Sequence, residues 1–215
     1  MFKNMFNRRE QEENVRTEGR LPPGQSLTQK FPVLHYGPIP RFDPATWDFR
    51  IWGEVEQEVR WTWDEFNKLP RTKILMDLHC VTRWSKFDTE WEGISVKTLV
   101  DEGLIKLKPT AKYVVEHAEY GYTTNLPVDV ILQPNFLLAT HFDGEPLSPD
   151  HGYPLRGVIG AIPDRKDLAD PYLWKGAKWI RGLQFTPNDK PGFWEQAGYH
   201  NEADIWKEQR FGRGW

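Results

Sequence analysis

Hydrophobic and polar positions alternate clearly in only a few stretches of the chain, and those stretches locate its strands. Residues 49–55 (FRIWGEV) place apolar side chains at every second position, the period of a half-buried strand. Residues 73–79 (KILMDLH) predict a strand that runs straight into Cys80. Residues 113–118 (YVVEHA) predict another, 136–142 (FLLATHF) a weaker one, and 155–162 and 179–185 two more. The helical segments are short. One covers 63–69, with Thr62 placed to cap it and Pro70 to stop it. A second begins at Ser95, covers Val96, Leu99 and Val100, and ends at Gly103. Pro163, Asp164, Asp167, Asp170 and Pro171 mark a long loop between the last two strands. Short strands, two or three short helices and long loops predict one mixed α+β domain over residues 31–215, not a doubly wound sheet. Residues 1–30 are polar, charged and punctuated by Gly and Pro, and are expected to form a mobile arm laid over that domain.

Composition narrows the function. Of 215 residues, 39% are apolar and 14% aromatic, enough for a sizeable core. The net charge of −3 gives no broad basic footprint for nucleic acid. No apolar run approaches the roughly 18 residues needed to cross a bilayer, so no membrane span is expected. Arg8-Arg9 is followed by Glu10, Gln11, Glu12 and Glu13, where an export signal has an apolar stretch, so a cytoplasmic location is expected. No glycine-rich strand–turn–helix is present, which leaves a nicotinamide or ATP reading without support. Cys80 is the only cysteine. It excludes an intrachain disulfide, and a cysteine-rich zinc or iron–sulfur site would lack ligands.

Three clusters carry candidate chemistry. Cys80 closes an apolar strand and opens the loop 80–85, where His79 and Arg83 offer positive charge that favours a thiolate. Position alone favours a buried spectator, because free cysteine packs as a small hydrophobe. His151 and Arg156, on either side of Gly152 and Pro154, suit an anion, although such a turn is more often plain surface. Lys175-Gly176-Ala177-Lys178 combines two lysines with a glycine and free amides, as a phosphate requires, although paired lysines are usually a solvated face. Eleven tryptophans exceed ordinary packing needs and are expected to divide between core and a flat binding surface.

In order along the chain these clusters resemble the molybdopterin-binding domain of the sulfite oxidase superfamily, above all its small stand-alone oxidoreductases. The resemblance runs through His35–Pro40, Cys80–Ser85, Trp91–Gly93, Gly121–Pro127, Leu138-Ala139, Gly144–Leu147, His151–Arg156, Lys175–Trp179 and Pro191–Glu195, and covers residue 30 onward. It implies a multi-sheet α+β fold and a molybdenum–molybdopterin cofactor, without haem, NAD or an iron–sulfur cluster. It implies that Cys80 ligates the metal. It also implies that His151, Arg156, Lys175, Gly176, Ala177 and Lys178 hold the pterin and its phosphate, and that His35 and Tyr36 touch the pterin. The implied activity is two-electron oxygen-atom transfer to or from a small sulfite-, sulfoxide- or N-oxide-like substrate. Arg83, Trp84, Tyr122, Thr140 and His141 are the residues expected near the metal. The tail after Phe185 is too short for the roughly 100-residue β-sandwich of larger relatives, so a monomer that exchanges electrons with a separate partner is expected.

Two departures bear on the substrate. Sulfite oxidases have further arginines just after the cysteine, where this chain has Trp84 and Ser85 after Arg83. They also carry a tyrosine where this chain has Thr140, so sulfite is not the expected substrate. Two other readings stand beside this one. The first is a binding module of the same fold without turnover. The second is a thiol enzyme using Cys80 with His79, His117 or His151 as base.

Overall fold

The computed structural model describes residues 2–212, so Met1 and residues 213–215, the extremes of the expected arm and domain, lie outside the described residues. In chain order the elements are α1 (Phe2–Thr17), β1 (Ser26–Leu27), β2 (Asp48–Gly53), β3 (Val59–Thr62), α2 (Trp63–Phe66) and β4 (Thr72–His79). Then follow β5 (Trp84–Ile94), α3 (Val96–Asp101), β6 (Tyr113–Ala118), β7 (Thr123–Pro127), α4 (Val128–Ile131) and β8 (Phe136–Phe142). The last are β9 (Glu145–Pro146), β10 (Arg156–Ile159), β11 (Ile180–Thr186) and α5 (Phe193–Gln196). The expected α+β architecture is present, as two sheets with short helices between their strands.

One sheet runs β3-β2-β11-β6-β7, antiparallel except where β2 and β11 pair in parallel. The other is built on the long β5, which pairs with β4, with β8 and, in parallel, with β1, while β8 carries β10 and β9. A bridge between Asp77 and Ala161 ties β4 to the segment after β10 and curls this sheet. The weak alternation of β8 now has a cause. Phe136 and Leu138 pack into the core between the sheets, and Leu137 and Ala139 into a second core inside the curl. A strand buried on both faces reads as a continuous apolar run.

Local signals act where expected. Thr62 and Glu65 form a reciprocal capping box on α2. Ser95 accepts from the Thr98 amide at the start of α3, and Gly103 follows its end at φ 70°.

The N-terminal expectation needs correction. Residues 2–17 form a helix, and residues 20–28 are built into the domain rather than laid over it. Leu21 and Gln25 are buried, and β1 pairs with the start of β5. Arg20 grips the buried Asp77 through two bonds, Nε–Oδ2 at 2.9 Å and Nη2–Oδ1 at 2.8 Å. Composition hid this because the anchoring side chains are polar, and their partners lie some sixty residues away in sequence. Burial pushes the Asp77 carboxyl up and Arg20 opposes it.

Removal of that guanidinium leaves a buried carboxylate unpaired, so Arg20→Ala is expected to lose about 3 kcal/mol at neutral pH. With its folded-state affinity for protons raised further, Asp77 is stabilising when protonated, and the deficit relative to wild type shrinks as pH falls. Urea unfolding at neutral and mildly acidic pH measures this; a deficit that stays constant or grows toward acid contradicts it.

Candidate active site

The end of β4 sets the position of Cys80. Met76 and Leu78 anchor the strand in the inner core, and its last residue, His79, is buried outside the wall of the cavity that the thiol faces. The chain then turns tightly: the Arg83 amide donates to the Cys80 carbonyl at 3.0 Å and the Cys80 amide to the Trp84 carbonyl at 2.9 Å. The thiol, only 7% exposed, lines a cavity of about 330 Å³. It accepts from the Thr82 hydroxyl at 3.1 Å. Burial pushes the thiol up, against the Thr82 bond and the charges of Arg210 and Lys178. The expected electropositive setting exists, but its sources are corrected. His79 is held neutral by burial, near pKa 3, with Nδ1 2.8 Å from the Ser85 hydroxyl. Arg83 is exposed and outside the cavity wall.

Two cations face the cavity. Arg156, at the start of β10, is buried and donates to the His151 carbonyl (3.1 Å) and the Gly157 carbonyl (3.2 Å). Burial brings its pKa down to about 10, so it stays charged at neutral pH. Lys178 donates to the Asp150 carbonyl at 2.6 Å, and burial beside Arg156 lowers it to about 7. The carboxylate in the wall, Glu119, already bonds Arg181 at 2.7 Å.

The loop 175–178 divides its labour. Gly176 and Lys178 line the cavity; Lys175 and Ala177 do not. Lys175 turns inward to a fully buried pair with Glu195 at 2.7 Å, and to Asn125 at 3.0 Å. The Ala177 amide is spent on buried Glu116 at 2.7 Å. Close packing enforces this path: a Cβ on Gly176 would sit 2.5 Å from the Gly157 carbonyl oxygen, and one on Gly157 2.4 Å from Glu116 Oε2. Two lysines three residues apart carry no sequence signal that tells the inward one from the outward one.

Aromatic rings make most of the remaining wall. Trp84, Tyr122, Trp174, Trp179, Trp194 and Tyr199 line it, with His35 and Tyr36 at its exposed rim. The sequence left Glu119, Trp194 and Tyr199 unassigned to the site; the excess of tryptophan was the available signal. His151 does not line the cavity. Its ring stacks on Phe31 at 3.9 Å, and its buried Nδ1 has no partner. Thr140 and His141 are also outside the wall. They form a separate cluster on β8, with Thr140 bonded to Arg71 and His141 Nδ1 2.9 Å from the Thr140 hydroxyl. His117 is elsewhere again, bonded to Gln184 at 3.2 Å.

One soft sulfur donor, a buried and a half-buried cation and flat aromatic walls form a site for an anionic ligand with planar rings and a thiophilic metal. Among the described residues no group of three or more His, Cys, Asp or Glu side chains could hold a metal alone, so the remaining ligands must come with the guest. No described helix is long and apolar enough to cross a membrane.

Comparison with known proteins agrees. The sequence profile of the oxidoreductase molybdopterin-binding domain matches residues 36–194. The chain is 43% identical to the uncharacterized oxidoreductase YuiH of Bacillus subtilis over 90% of its own length and 92% of that protein's. It is 25% identical to the catalytic subunit MsrP of the protein-methionine-sulfoxide reductase of Campylobacter jejuni, over 72% of this chain and 54% of that one. The fold matches the sulfane dehydrogenase SoxCD of Paracoccus pantotrophus with a TM-score of 0.60 at 19% identity, over 73% of this chain and 42% of that one. A thiol-lined, cationic, aromatic-walled cavity on this two-sheet fold, within the matched span, makes the chain an oxidoreductase of the molybdopterin-binding, sulfite-oxidase-type family.

Proposed function

We propose that the protein holds molybdenum with one molybdopterin, exchanges electrons with a separate redox partner, and transfers oxygen with a small organic S-oxide or N-oxide in preference to sulfite. The observation that carries the reading is that the only cysteine faces the cavity that also gathers Arg156 and Lys178. The residues fit the group. A thiol becomes thiolate when coordinated, which removes the penalty that burial places on its ionisation. Arg156 and Lys178 complement a phosphate, the Gly176 backbone admits close approach, and the tryptophans offer faces for a pterin. When bound, such a cofactor supplies two-electron oxygen-atom transfer. Lys178, near pKa 7, is drawn to its charged form by an arriving anion, and the rings around it exclude water.

Substrate preference follows from the charges left over. Arg156 and Lys178 are the cations in the wall, and both are engaged by the cofactor in this reading. Arg83 adds none there, so an oxyanion such as sulfite meets no further cation while a neutral oxide meets aromatic surface. The relative named as a protein-methionine-sulfoxide reductase points the same way. The thiol-enzyme reading is disfavoured: the Cys80 thiol is pushed up, and His79, His117 and His151 are all outside the wall.

On metal-loaded protein, kcat/KM for methyl sulfoxides or amine N-oxides with reduced viologen is expected to exceed that for sulfite with ferricyanide at least tenfold. Comparable sulfite turnover overturns the substrate preference, and no turnover at all overturns oxygen transfer. Lys178→Met is expected to lower pterin retention with little change in thermal midpoint. Lys175→Met, which strands Glu195, is expected to lower the midpoint instead, by about 3 kcal/mol of stability. The opposite pattern would show that Lys175 is the phosphate contact.

A further inference from the structure

Two side chains reach the Cys80 turn from opposite ends of the chain and hold it from behind. Gln25, 1% exposed, donates through Nε2 to the Cys80 carbonyl at 3.1 Å. Arg210, 7% exposed, donates through Nη1 to the next carbonyl, that of Val81, at 2.5 Å. Neither residue lies within the 36–194 span of the family profile, and neither lines the cavity.

Both donors are themselves fixed. Gln25 immediately precedes β1, where the Ser26 amide donates to the Arg83 carbonyl (3.0 Å) and the Thr28 amide to the Ser85 carbonyl (2.9 Å). Arg16 holds the Gln25 carbonyl at 2.5 Å. The Arg210 guanidinium lies 4.9 Å over the ring of buried Tyr172. Its tail is stitched down by the Tyr172 amide on the Ala203 carbonyl (2.9 Å) and the Ile205 amide on the Asp170 carbonyl (3.2 Å). Tyr172, Ala203 and Ile205 make a small core of their own, and Val81 packs against it.

The carbonyls of Cys80, Val81, Arg83 and Trp84 are therefore all occupied. Such holding is needed here, because Arg83 sits at φ 72°, a left-handed conformation that a free turn of ordinary residues tends to leave. Successive carbonyls in a turn point in different directions, so gripping two of them fixes the peptide plane between them. It thereby fixes the direction in which the thiol enters the cavity, and a metal ligand must be set to within about half an ångström.

We infer that Gln25 and Arg210 are positioning residues for Cys80, a two-ended clamp by which the N-terminal strap and the C-terminal tail aim the thiol. The inference rests on Cys80 being the metal ligand, but the clamp itself can be measured without metal. In metal-free protein the single thiol reports loop opening through its rate of alkylation by N-ethylmaleimide at fixed pH.

Gln25→Ala and Arg210→Ala are each expected to raise that rate about five- to tenfold, the effect of one lost buried hydrogen bond on local opening. Gln25→Glu, which keeps the shape but when ionised has no N–H for the carbonyl, is expected to match Gln25→Ala. Arg210→Lys keeps a donor and is expected to stay nearer wild type, which a purely volumetric role would not produce. In metal-loaded protein the Gln25 and Arg210→Ala variants are expected to shift the sulfur-to-metal charge-transfer absorption, while the distant surface change Lys97→Ala leaves both readouts unchanged. Alkylation rates within twofold of wild type for all the Gln25 variants and Arg210→Ala overturn the clamp, as does an equal rise in Lys97→Ala. A loaded wild type with no such absorption overturns the ligand role of Cys80 and leaves the alkylation result to decide the clamp.

Discussion

Burying two cations beside one another is unfavourable, and the fold accepts that cost at Arg156 and Lys178. Burial lowers both pKa values, and the charge of Arg156 lowers Lys178 further, to about 7. The protein supplies only partial compensation: carbonyls of Asp150, His151 and Gly157, and the carboxyl of Glu116 buried behind the loop. A site strained in this way is completed by an anion. The cavity, its aromatic walls and the thiol that shares its lining make sense around a guest that brings negative charge.

The two sheets exist, in this view, to bring three distant chain segments to one place. The inner curled sheet delivers Cys80 at the end of β4 and Arg156 at the start of β10. The 175–178 loop then crosses over β10, where Arg156 bridges Lys178 and the Gly157 amide donates to the Ala177 carbonyl at 2.8 Å, before entering β11 in the other sheet. Glu116 on β6 and the Lys175–Glu195 pair lock that crossing from below. Packing at Gly157 and Gly176 leaves no room for a side chain, so loop and strand have one register. Position in the site is a property of the junction between sheets, not of any single element.

Much of this was legible in the chain. The strand into Cys80, the caps at Thr62 and Ser95, and the order of clusters that resembles molybdopterin domains all rest on local pattern, which sequence displays directly. What was hidden depends on direction and distance. Lys175 and Lys178 look alike in sequence, yet one is buried against Glu195 and the other faces the cavity. His79 adjoins Cys80 in sequence, but strand alternation turns it away, and burial keeps it neutral. Thr140 and His141 follow a well-placed Ala139, yet they pair with Arg71 outside the wall. The polar composition of residues 20–28 suggested freedom, because nothing local reveals that Arg20 meets Asp77 and Gln25 meets Cys80.

The most direct test of the central claim is the molybdenum content of the wild type and Cys80→Ser, each purified from a host that makes the cofactor and measured by elemental mass spectrometry. The account predicts close to one molybdenum per chain in the wild type and little in the variant, with the circular dichroism of the two alike. Equal molybdenum in both, or none in the wild type, would contradict Cys80 as the residue that holds the metal in this cavity.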